Sequence, residues 1–181
     1  MGNYVVVARF DDKMTEKLIA LRKKLHDENQ MKAISEWQPH ITIAAYENVD
    51  IQALLQWTEE FAKVHSIFDV SLSSLGFFPP YGEHTETVVL FASPSQSKDL
   101  IDFYFAFHEK LDDYCGKLGW MYSAKWGYPV IHTTIGVFEV SQLQKAMEMI
   151  FVSQTFGRAK IIALEVYTYP MELVQRFELN N

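Results

Sequence analysis

The chain has 181 residues, 49% of them hydrophobic and 14% aromatic, which is the apolar content of one folded domain and not of a disordered tail. Its 16 basic and 23 acidic residues give a formal net charge of −7, which argues against tracking duplex DNA or long RNA through phosphate contacts. No stretch reaches the roughly 18 uninterrupted apolar residues of a membrane span, and the opening Met1-Gly2-Asn3-Tyr4-Val5 lacks the basic and apolar regions of a secretory signal.

The single cysteine, Cys115, cannot close a disulfide within the chain, and this fits a reducing compartment; a cytoplasmic protein, monomeric and away from membranes, is expected. In chain order, Tyr4–Ala8 is a short β-branched run that reads as a buried strand. Met14, Leu18, Leu21 and Leu25 then recur at helical spacing with Lys and Glu between them. His40–Ala45 is a second strand, entered through Pro39. Asp50 caps a helix whose inner face is Leu54, Trp57, Phe61 and Val64. Strand-like runs follow at Ile67–Phe78 and Thr87–Ala92, separated by the turn-rich Pro79–Gly82.

The same order then returns. Leu100, Phe103, Phe107, Leu111, Tyr114 and Leu118 mark one long helix, and Val130–Val137 is a strand. Ser141 with Gln144 forms a capping-box pair that opens a helix through Leu143, Met147 and Ile150. The chain ends in strands Lys160–Tyr169 and Leu173–Leu179, split near Pro170. The offset is steady, with 92 residues from His40 to His132 and 91 from Asp50 to Ser141. The expected architecture is α+β: a single bilobal domain over residues 1–181, with approximate repeats at 11–92 and 97–179. Two mainly antiparallel sheets would be related by a pseudo-twofold axis, with helices outside and a cleft between the lobes.

Two of the six histidines fall inside predicted strands, and both carry the same pattern: His40-Ile41-Thr42-Ile43 and His132-Thr133-Thr134-Ile135. Residues i and i+2 of a strand share a face, so each strand sets one imidazole beside one hydroxyl while the isoleucines turn to the apolar layer. Thr133 belongs to the buried face. At this composition chance yields about 0.3 His-x-Thr triplets, so two at matched places in a repeat carry weight. An imidazole titrates near pH 6.5, so one ring can accept a proton while its twin donates one. Hydrolysis of a phosphodiester needs both acts, and threonine hydroxyls can donate to the non-bridging oxygens. That chemistry calls for no metal and no cofactor.

These paired motifs, about ninety residues apart in a short duplicated α+β chain, resemble the 2H phosphoesterase superfamily, which includes bacterial 2'-5' RNA ligase-like proteins and 2',3'-cyclic nucleotide phosphodiesterases. The resemblance covers about Tyr4 to Phe177. It implies that His40 and His132 are the catalytic histidines, that Thr42 and Thr134 bind phosphate, and that the substrate is a small cyclic phosphate or an RNA terminus. A basic residue that often follows a motif in ligase-like members is missing here, where the motifs run into Ala44-Ala45-Tyr46 and Gly136-Val137-Phe138. The alternative is a phosphate or RNA-end receptor that uses the same cleft without turnover. Tyr46, Trp126 and Tyr128 flank the motifs and are candidates to stack on a base. Lys125 is expected to be a solvated lysine, and Cys115 a buried small hydrophobe. No His-x-His or Cys-x-x-Cys spacing suggests a metal site.

Overall fold

The computed structural model describes residues 1–28, 30–32, 36–80, 82, 85–127, 129–153 and 155–181. Strand β1 (Gly2–Phe10) leads into α1 (Asp12–Asp27), where Asp11 accepts from Met14 N and Met14, Leu18, Leu21 and Leu25 are buried as their spacing requires. Strand β2 (His40–Val49) is followed by α2 (Ile51–Val64), which Asp50 caps by accepting from Ala53 N. Leu54 and Phe61 of α2 are buried, but Val64 closes the last turn at 76% exposure and leaves the inner face. Strands β3 (Phe68–Phe78) and β4 (Thr87–Pro94) complete the first half.

Helix α3 (Lys98–Leu111) begins with Ser97 accepting from Leu100 N, and it stops well short of the long helix that its apolar spacing predicts. The cause is Asp112. Its buried carboxylate accepts from Ser123 Oγ at 2.7 Å, Ala124 N at 2.8 Å and Lys125 N at 3.2 Å, so the chain must double back. A 3-10 turn (Asp112–Tyr114), the short α4 (Gly116–Gly119) and a second 3-10 turn (Trp120–Tyr122) make that return, with Gly116 at φ +51°.

Strand β5 (Thr133–Glu139) passes directly into a 3-10 turn, Val140–Gln142, because Val140 N continues the β4–β5 pairing by donating to Glu86 O. Ser141 therefore sits inside that turn, and α5 (Leu143–Val152) starts without a side-chain cap, so the expected capping box does not form. Strands β6 (Gly157–Thr168) and β7 (Leu173–Glu178) end the chain, joined through a cis Tyr169–Pro170 bond.

Every strand pair is antiparallel, and the path runs β2-β1-β6-β3-β4-β5 with β7 also on β6. The α+β class with antiparallel pairing holds. Its two antiparallel units are joined through β6, which gives residues 157–161 to β3 and residues 161–168 to β1. Pairing thus crosses the halves of the chain: β5 of the second half lies on β4, and β6 is inserted between β1 and β3. The motif strands β2 and β5 are the two ends of the path, yet they touch, so the sheet curls until its ends meet. The main core, which includes Val6, Ala8, Phe10, Ile41, Ile43, Leu164 and Val166, lies between the sheet and the helices. Among the described residues no helix is long and apolar enough to cross a membrane.

Candidate active site

Each motif strand carries a β-bulge at the same place. Along β1–β2 the register steps from Val7↔Thr42 to Val6↔Ala44, which leaves Ile43 as the extra residue. Along β4–β5 it steps from Phe91↔Thr134 to Leu90↔Gly136, which leaves Ile135 extra. Up to the bulge the alternation holds: Ile41, Ile43, Thr133 and Ile135 are buried, while His40, Thr42, His132 and Thr134 are half-buried on the other face. Beyond it the parity reverses. Tyr46, which an unbroken two-residue period would place beside His40 and Thr42, faces the core at 0% exposure and offers no surface for a ligand.

The two rings are held in the same way. His40 Nδ1 lies 2.7 Å from Gln38 O, and His132 Nδ1 lies 2.5 Å from Val130 O, in each case the carbonyl two residues upstream. A carbonyl only accepts, so Nδ1 carries the hydrogen and Nε2 holds the lone pair. Neutral, either ring can take a proton at Nε2; protonated, it can give one back from the same atom. The rings of Phe78 and Phe91 pack on His132 at centroid distances of 5.1 and 4.9 Å. Burial holds the titration of His132 below the usual imidazole value, against the pull of its bond to Val130.

His40 is surrounded differently. Arg9 lies directly across from it on β1, and Arg22 reaches in from α1; each arginine is only 5% exposed. Arg22 Nη1 donates to Trp37 O at 2.7 Å and its Nη2 to Thr134 O. Arg9 Nη2 donates to Gln38 Oε1 at 2.9 Å, and its Nε is 3.5 Å from Glu165 Oε2, a carboxylate further bound by Tyr167 and Arg176. Arg9 Nη1 and Arg22 Nε are buried without a hydrogen-bond partner, and Arg22 pairs with no carboxylate among the described residues. Burial first, then the charges of Arg22, Arg9 and His132, bring the His40 pKa to about 4 in spite of its bond to Gln38. Arg22 thus bonds to the backbone of both motif segments, Trp37 before His40 and Thr134 after His132, where β2 and β5 come into contact.

Beside His40 and Thr42 opens a pocket of about 240 Å³ whose walls are mostly apolar, among them Val5, Trp37, Leu118, Met121 and Met171. Tyr122 and Thr42 are also in the wall. Trp126 is 71% exposed and stands outside this pocket; Tyr128 lies outside the described residues. Lys125 pairs with Asp113 at 2.6 Å.

Arg9 and Arg22 are the residues of the site that sequence reasoning passed over. Their signal was position: Arg9 continues the alternation of Val5 and Val7, and Arg22 sits four residues after Leu18 beside the buried stripe of α1. A second buried cluster, His108, Asp112 and Cys115, has metal-ligand composition, but its carboxylate is already committed to residues 123–125. His108 Nε2 is 3.0 Å from Ile43 O, His108 Nδ1 is 2.8 Å from Asp112 Oδ1, and Asp112 accepts three further bonds. Burial and the neighbouring Asp112 push the Cys115 thiol up to about 12, so it is no nucleophile.

A sequence model described as the 2'-5' RNA ligase superfamily matches residues 10–170. Similar solved structures include TT0787 of Thermus thermophilus, at 13% identity and TM-score 0.63, covering 99% of this chain and 98% of that one. E. coli LigT in apo form is similar at 10% identity and TM-score 0.59, covering 99% and 98%. Usb1 of Kluyveromyces marxianus is similar at 10% identity and TM-score 0.51, covering 98% and 97%. LigT has also been solved with 3'-AMP and with phosphate, and Usb1 with uridine monophosphate. No curated protein sequence matches the chain.

Proposed function

The chain belongs to the 2'-5' RNA ligase superfamily, within the 2H phosphoesterases, and from that premise we propose that it opens a cyclic phosphate by two-histidine acid–base catalysis. The substrate class is a 2',3'-cyclic nucleotide, an RNA terminus with such a group, or a related small phosphodiester. The observation that carries this reading is the matched anchoring of His40 and His132 through Nδ1, which leaves two like Nε2 atoms for proton transfer. The small nucleotides and phosphate in crystals of LigT and Usb1 support a ligand of that size.

In the proposed reaction a neutral ring takes a proton from water at Nε2 as the water oxygen bonds to phosphorus. The phosphorus–oxygen bond of the ring breaks, and the other histidine, protonated, gives its Nε2 proton to the leaving alkoxide. Thr42 and Thr134 donate to the non-bridging oxygens, where negative charge gathers. The cations of Arg9 and Arg22 lie on the His40 side and disfavour a charge on its ring, which supports His40 as the base and His132 as the acid.

The test is incubation with 2',3'-cyclic mononucleotides in the presence of a chelator. The wild type should form monophosphate, and His40→Gln and His132→Gln should each lose about 10²–10⁴ in rate. Full activity in both variants would overturn the reading. Phosphate binding without any monophosphate would identify the receptor alternative.

A further inference from the structure

We propose that Arg22 is a positioning residue that sets the spacing between the two half-sites, a role that rests on the proposed two-histidine reaction. One guanidinium spans both: Nη1 holds Trp37 O, three residues before His40, and Nη2 holds Thr134 O inside the second motif. Gln38, next to Trp37, supplies the carbonyl that orients the His40 ring. The fork therefore links the anchor of one ring to the backbone of β5, the strand that starts one residue after the other ring.

Strand pairing alone does not fix this distance. β2 and β5 are the two ends of the sheet path and share no ladder, so four strands and their accumulated twist separate them along the sheet. An end strand also leaves outward carbonyls without a strand partner, and Arg22 takes one of these on β5. A planar fork with fixed N–H directions suits the task, because its two arms set an angle as well as a distance. Lysine, a point charge on a flexible stem, cannot hold both carbonyls at one geometry.

Arg22 carries a second consequence through its charge. It is buried, and no carboxylate among the described residues pairs with it; the other cation nearby, Arg9, is shared with Glu165. Burial, with Arg9 beside it, lowers the Arg22 pKa to about 10, so the group stays charged at neutral pH. That uncompensated charge is held against the backbone of Thr134, a proposed phosphate-binding residue, in a protein whose net charge is −7.

The experiment compares Arg22→Lys and Arg22→Gln with the wild type by steady-state kinetics and by NMR of the histidine ring protons, assigned with the His40→Gln and His132→Gln proteins. In the wild type, inorganic phosphate should shift the His40 and His132 signals together with one affinity. Arg22→Lys keeps the charge and breaks the fork, so kcat should fall about 10²-fold, the cost of a misplacement near 1 Å. In that variant the two rings should no longer respond to phosphate with one affinity, while His40 titrates close to its wild-type position. Arg22→Gln should show the same loss and also move the His40 titration upward. Unchanged kcat and an unchanged joint phosphate response in Arg22→Lys would overturn the proposal, as would a lowered melting temperature with both readouts intact in the folded protein. If Arg22→Gln does not fold, Arg22→Lys decides. If the wild type shows no turnover, the acid–base reading fails while the NMR arm still judges Arg22.

Discussion

Replacing Gly119 by alanine tests how the wall of the pocket is held against the reactive strand. Gly119 closes α4 over β2, and a Cβ built there would lie 1.8 Å from Ala45 O and 2.8 Å from Ala45 C. Its φ of −112° is open to any residue, so the glycine is required by close approach and not by conformation. Because the obstacle is backbone, α4 itself has to retreat, by about 1.2 Å to reach a tolerable 3.0 Å. That retreat works against the bond from Leu118 N to Glu47 Oε1, 2.5 Å long, and carries Leu118, Met121 and Tyr122 away from the pocket. Overpacking of this kind costs about 1–3 kcal/mol, only partly offset by the ~0.4–1 kcal/mol gained when glycine leaves the unfolded chain. At this chain length each kcal/mol lost lowers the melting temperature by about 2–4 °C. The KM for a cyclic nucleotide should rise more than kcat falls, since His132 and β5 are untouched. Denaturant unfolding and steady-state kinetics read both effects. A variant within about 0.5 kcal/mol of the wild type and with an unchanged KM would refute this account of the wall.

Stability should depend on pH through His40. Its folded-state pKa of about 4 lies below the ordinary 6.5, so the folded protein favours the neutral ring. Above pH 6.5 neither state holds the proton and the group contributes no slope; as the pH falls toward 4 the unfolded chain binds it first and stability declines. Urea midpoints measured across that window should fall less steeply for His40→Gln than for the wild type, and parallel curves would contradict the shift. Asp112→Asn should cost about 3 kcal/mol or more, because it leaves His108 and the donors of residues 123–125 facing a neutral amide; denaturant unfolding measures it, and a loss under 1 kcal/mol would show that the hub is dispensable.

The alternating pattern of His40 to Ile43 and of Ile131 to Thr134 was readable because it is local: a two-residue period needs nothing beyond the strand itself. What escaped the sequence depends on partners far along the chain. Tyr46 was a stacking candidate because it flanks the first motif, and the bulge at Ile43 turns it to the core. The helix from Leu100 to Leu118 was periodic throughout, but the return of Ser123 and its neighbours to Asp112 outweighed the periodicity. Arg9 and Arg22 carry charges for which nothing local in the sequence requires burial. Their burial is licensed by Glu165, Gln38 and two backbone carbonyls that only the assembled fold supplies.

The insertion of β6 between β1 and β3 has a consequence during synthesis. As the polypeptide leaves the ribosome, β1 can find β2 at once, but its other border, with Tyr4 to Phe10 ready to pair, stays bare until Gly157–Thr168 emerges. The same holds for the border of β3 that Phe68 to Leu72 will close. Nascent chains therefore carry two sticky margins for most of translation, and they are the stretches a chaperone would have to shield.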